Sequence, residues 1–209
     1  MSLEEFEKIF REDIVEYYVQ NQNKFDSHGI HGCLHISRSL IICRLISKEL
    51  SRKGIVTNID NISYAVAFHD SGRQANGVDL WENLSSSNCY NYLIKKGNPN
   101  AKNISSLILK NDSAVRSKSN DYDFLCLYDT DVLEILRPST GVGMRNFNNS
   151  YLKLKGVLNY DVMFNEVLQF ILETENLKQN FNDHNSLNNL ITYIILNKSR
   201  FPKIYESIS

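Results

Sequence analysis

Proline and glycine are scarce in this chain, three and nine among 209 residues. So little turn chemistry leaves few of the sharp reversals an all-β fold needs, and no stretch shows a convincing strand alternation. Cysteine is thin as well. Cys33, Cys43, Cys89 and Cys126 stand singly, mostly among apolar residues. With no CxxC pair and no short secreted framework, they read as buried thiols of a reducing compartment. Excess charge is also missing: 23 basic against 24 acidic residues give a formal net charge of -1. Without a global field a polynucleotide partner is disfavoured, and a phosphate-bearing ligand has to be drawn in by local basic groups. No apolar run reaches the length that spans a bilayer, and the acidic, amphipathic start MSLEEFEKIF is the wrong chemistry for a signal or transit peptide. No membrane role is therefore expected, and the expected location is cytoplasmic, with export as an effector left open.

The chain does have core-forming material, 42% hydrophobic and 11% aromatic residues. That is enough for one all-α domain over residues 1–209. Apolar residues recur at three- and four-residue steps in nearly every long segment, which predicts helix after helix. The first runs from Leu3 to about Gln20 and the second from about Gly32 to Ser51, with Leu34, Ile41, Leu45 and Ile46 as its stripe. Asn61 or Ser63 can cap a third, short helix that ends at His69-Asp70. Asp79 opens a helix to about Lys96, stopped by Gly97-Asn98-Pro99. Further helices are expected over Ala101 to Lys110, about Phe124 to Arg137, around Val157 to Glu175, and Ser186 to Asn197.

The histidines carry the most information. Four of the five, His28, His31, His35 and His69, fall in the first third, while His184 stands alone near the end. His31 and His35 are four apart at a helix start, so their imidazoles share a face. His69 and Asp70 are adjacent, and adjacent helical residues point roughly 100° apart, so both reach one ion only where the helix ends or distorts. Arg73, Arg38 and Lys110 are the phosphate-facing candidates, an arginine fork fitting phosphate better than a lone ammonium. Asp79 and Glu82 are placed to orient water or a substrate hydroxyl.

Three blocks, HGCLHISRS (31–39), AVAFHDSGR (65–73) and LCLYDTDVLEILR (125–137), resemble the HD metal-dependent phosphohydrolase superfamily, over a motif core of about 28–137 followed by C-terminal helices of about 151–200. The resemblance implies a helical HD-type domain with His35 as first metal ligand, His69 and Asp70 as the HD pair, and Asp131 as the final aspartate. Asp129 is the competing choice in the DTD triplet, with Asp131 preferred because VLEILR continues like the family's DxL. One divalent cation is implied (Mn, Fe, Mg or Zn), because SSLILKNDS lacks the extra histidine of many binuclear members. Imidazole and carboxylate donors suit such ions and leave positions for water and a phosphate oxygen. The implied activity is hydrolysis of a phosphomonoester or phosphodiester, in a phosphorylated, nucleotide-like small molecule, with Asp70, Arg73 and Glu82 in the catalytic set. The HGxxHxxR block also looks like a subgroup in which the earlier histidine joins the active site, making His31 an acid, base or nucleophile. It is broadly similar to SidE-type effector phosphodiesterases, which process ADP-ribosylated ubiquitin. The alternatives are such a protein-directed enzyme, or a silent module that binds nucleotide and metal.

Overall fold

A computed structural model describes residues 1–19, 31–73, 81–110, 120–134, 151–178 and 183–209, and among them every regular element is helical. No helix there is long and apolar enough to cross a membrane.

The chain opens with α1 (Leu3–Ile9), started by a capping box between Ser2 and Glu5. One unbroken helix was the expectation. Instead a π turn over Phe10–Ile14 leads into the short α2 (Glu16–Val19). The cause is the spacing of the apolar residues: Phe6, Phe10, Ile14 and Tyr18 are all buried and all four apart. Four-residue steps overshoot the 3.6-residue turn, and a wider turn, closed by the Val15 N–H to the Phe10 carbonyl at 2.8 Å, keeps the stripe facing inward.

Helix α3 (Cys33–Arg52) is the axle of the fold. It packs against α4 (Ile59–Phe68), α7 (Tyr122–Glu134), α9 (Ser186–Leu196) and α10 (Pro202–Ile208). Enclosed on so many sides, it is buried all round from Cys33 to Cys43 rather than along one stripe. Its polar residues are then forced to find partners inside. Ser37, for example, shares a 2.5 Å hydrogen bond with Ser186 at the start of α9, whose hydroxyl also donates to the Cys33 carbonyl.

Asn58, earlier than expected, caps α4 by accepting from the Asn61 N–H. Helices α5 (Trp81–Lys95) and α6 (Ala101–Leu109) form a hairpin, turned by Gly97 at a φ of 69°. Helix α8 (Tyr160–Asn176) follows a 3-10 turn at Lys153–Gly156. That turn and α10 were not anticipated, although Pro202 at the first turn of α10 is an ordinary start signal.

Candidate metal centre

Three separate helix ends converge on one point. His31 and His35 flank the start of α3. His69 caps the C-terminus of α4 with dihedrals that are still helical, and the chain then tightens into turns, the Ser71 N–H donating to the Phe68 carbonyl at 3.0 Å, which lets both side chains turn the same way. Asp131 comes from the last turn of α7.

The Nε2 atoms of His35 and His69 lie 3.2 Å apart. Asp70 Oδ2 is 3.3 Å from the first and 3.6 Å from the second, while Asp131 Oδ1 is 3.8 and 3.6 Å away. A cation with bonds of about 2.0–2.2 Å holds neighbouring ligands about 3.0–3.6 Å apart, whether octahedral or tetrahedral. Most of these separations fall in that range, and among the described residues His31, His35 and Asp70 on one side and His35, His69 and Asp131 on the other form two overlapping groups, each able to hold a metal ion.

Tautomers strengthen the fit. His69 Nδ1 is 2.7 Å from the Val66 carbonyl, which only accepts, so Nδ1 carries the proton. His35 Nδ1 is 2.6 Å from Glu134 Oε2 and donates to it. In the neutral rings both Nε2 lone pairs then aim at the same small space, an arrangement that needs a proton or a metal ion between them. The neighbouring carboxylates favour a positive charge at this point, which a proton on His69 or a cation can supply. Burial works against charging His69, but Asp70 and Asp131 outweigh it and hold its pKa up to about 9. Asp70 is likewise buried, yet His69, Arg73 and His31 keep its carboxyl well below the usual range. For Asp131, burial is overcome by the hydrogen bond and charge of His69, and its pKa also falls.

His35, His69 and Asp70 are buried, whereas the side chains of His31 and Asp131 are 25% and 27% exposed. Solvent thus meets the cluster on the side of these two. His31 Nδ1 is 2.8 Å from the same Asp70 oxygen that faces the other imidazoles, and Arg73 Nε donates to the opposite oxygen at 2.8 Å.

No known protein family, curated protein or solved structure matches the chain. The three motif blocks stand as a resemblance, and the chemistry rests on the cluster itself.

Two phosphate-facing expectations need correction. Arg38 does not reach the site's open side: it is buried, its guanidinium bonded to Glu134 Oε1 (2.9 and 2.6 Å) and Glu175 Oε2 (2.9 Å). One turn beyond His35 on a helix covered all round, it faces protein rather than solvent. Lys110 pairs with Asp121 at 2.5 Å. Asp121 precedes α7 and Asp131 lies in its last turn, so ten residues of helix, about 15 Å, separate the partner of Lys110 from the cluster. Glu82 sits half-buried in the first turn of α5, and among the described residues no ion pair draws it to the cluster. Asp79 and His28 lie outside the described residues, and His184 is exposed.

Asp129 is turned away. It accepts from the backbone N–H groups of Lys153 and Leu154 at 2.7 and 2.9 Å and from the Tyr160 hydroxyl at 2.5 Å, anchoring the 3-10 turn to α7. Burial pushes its carboxyl up, opposed by those three bonds. Replacing Asp129 by alanine strands three donors and should cost roughly 2–4 kcal/mol of stability. Cation affinity should stay unchanged; calorimetry on the folded variant checks this, and a large loss of affinity would return Asp129 to the ligand set.

Sequence reasoning missed Glu134. Three residues after Asp131, it shares that face of α7, so the two carboxylates flank the His35 ring, one toward each nitrogen. The DxxE spacing was the available signal. Gly72 was missed too. A Cβ there would lie 2.5 Å from the Ser85 nitrogen and 2.7 Å from the Trp81 carbonyl oxygen, so only glycine lets the turn after His69-Asp70 touch α5.

Proposed function

We infer that this chain is a metal-dependent phosphohydrolase that cleaves a phosphomonoester or phosphodiester of a nucleotide-like small molecule, using one divalent cation held by His35, His69, Asp70 and Asp131. The observation that carries this reading is the pair of imidazole Nε2 atoms facing each other at 3.2 Å with two carboxylates beside them. Purely structural histidines have no need of that convergence. Mixed nitrogen and oxygen donors favour Mn, Fe, Mg or Zn. A cation there supplies Lewis acidity toward a phosphoryl group and the attacking water.

The remaining roles belong to side chains. Glu134 fixes the His35 ring and keeps its Nε2 directed inward. His31, partly exposed to solvent and oriented by Asp70, is placed to give a proton to the leaving oxygen or take one from water. Arg73, bonded to the outer oxygen of Asp70 and partly exposed, is the cation beside the cluster that could steady phosphate oxygens.

Elemental analysis of purified protein should find one Mn, Fe or Zn per chain, or none retained but activity restored by added Mn or Mg. A panel of phosphorylated metabolites should then reveal turnover that stops on chelation and returns with the ion. Turnover that survives chelation would sink the metal role. One observation favours a second reading: the His31–Asp70 pair is an imidazole–carboxylate couple that is complete without a cation. Under that reading, small nucleotides are inert and ADP-ribosylated ubiquitin is cleaved in the presence of chelator.

A further inference from the structure

The turn that follows His69-Asp70 is gripped residue by residue by one face of α5. Asn88 Nδ2 donates to the Ser71 carbonyl and hydroxyl oxygens at 3.2 and 3.3 Å. The Gly72 N–H donates to the Ser85 hydroxyl at 2.8 Å. The Arg73 guanidinium lies over the Trp81 ring, 3.7 Å from its centroid. Positions 81, 85 and 88 are spaced i, i+4, i+7, a single helical stripe. Ser71, Gly72 and Arg73 therefore meet Asn88, Ser85 and Trp81 in strict antiparallel order.

What this grip controls is Asp70. Arg73 Nε bonds Oδ1, and only Oδ2 faces His31, His35 and His69. We propose that Trp81 is a positioning residue: by stacking on Arg73 it keeps that guanidinium on Asp70 Oδ1, so that Asp70 offers the cation one oxygen instead of two. The proposal rests on the metal-binding reading above and sets its selectivity. Single-oxygen donation suits small ions with bonds near 2.0–2.2 Å, such as Zn and Mn, whereas Ca takes six to eight oxygens at about 2.3–2.6 Å and favours two-oxygen carboxylates. A flat aromatic face is the surface that holds a guanidinium in one plane, and Trp holds it best.

The test compares the wild-type chain with Trp81→Leu, Trp81→Phe, Arg73→Gln and the double variant Trp81→Leu/Arg73→Gln. Binding of Mn, Zn and Ca is measured by calorimetry, and the visible spectrum of the Co-loaded proteins is recorded. Losing a group that orients a ligand from outside typically costs about 10- to 100-fold in affinity. Trp81→Leu should therefore weaken Mn and Zn binding about tenfold, narrow their preference over Ca by a similar factor and change the Co spectrum. Trp81→Phe should recover most of each effect. Arg73→Gln should match Trp81→Leu, and the double variant should be no worse than either, because both remove the same restraint.

Wild-type affinities and an unaltered Co spectrum in Trp81→Leu, with only the melting temperature lowered, would make Trp81 mere packing and overturn the proposal. Additive losses in the double variant would do the same. If Trp81→Leu does not fold, Arg73→Gln decides: unchanged Mn-over-Ca preference there overturns the proposal. Wild-type protein that takes up none of the ions removes the metal-binding reading and this proposal together, an outcome distinct from all the others.

Discussion

Replacing His69 by alanine should abolish both cation binding and turnover while leaving the helical content unchanged. His69 supplies one of the two inward Nε2 atoms and lies within 3.6 Å of both carboxylates. Orienting groups outside a coordination shell cost about 10- to 100-fold when lost, so a ligand should cost more than 100-fold. Asp70→Ala should behave alike, since it removes the oxygen shared by His31, His35 and His69 and the anchor of Arg73. The readouts are metal content after dialysis, initial rates with saturating Mn, and circular dichroism. If either variant keeps its metal and its rate, the four-residue site is wrong.

The largest effect on stability is expected at Glu134. Its carboxylate is fully buried and joins His35 on α3 to Arg38 on the same helix, and Arg38 passes the network on to Glu175 on α8. Breaking a buried ion pair from one side leaves an under-compensated charge and costs about 3–5 kcal/mol. Glu134→Ala should lower unfolding stability by about that amount, roughly 6–20 °C in melting temperature for a chain of this size. It should also weaken cation binding 10- to 100-fold, because the His35 ring loses the acceptor that fixes its tautomer. Glu134→Gln, which still accepts a hydrogen bond, should recover part of both. Thermal melts and metal titrations on the pair measure this, and a Glu134→Ala protein as stable as wild type would show that Glu175 alone satisfies Arg38.

Much of the architecture was legible because helices announce themselves. The four-residue steps and the Gly97-Asn98-Pro99 stop placed most elements within a few residues of where they lie. The π turn was not anticipated, since a run of apolar residues four apart looks like an ordinary helix until the accumulated overshoot is counted. The Asn58 cap was missed because three plausible capping residues, Asn58, Asn61 and Ser63, lie within six positions, and only tertiary contact chooses among them.

The cluster itself could be read from motif order, as histidines and carboxylates brought together by three blocks. Its surroundings could not. Arg38 looked like a solvent-facing cation because helical periodicity does not reveal that α3 is enclosed on every side. Lys110 is near the motifs in sequence but lies beside Asp121, at the far end of α7. Glu134 escaped notice because it reaches the cluster through His35, and such a contact needs distances.

The enclosure of α3 also limits how the chain can be shortened. All three motif blocks end by residue 137, which suggests a compact catalytic fragment made of the first two thirds. Yet Glu175 and Ser186 hold Arg38 and Ser37 from the far side, and α9 and α10 roof the same helix. Such a fragment would open the axle to water beside the residues that hold Arg38 and Ser37. The C-terminal helices thus cover the helix that carries His35, and a piece that keeps that helix enclosed must include them.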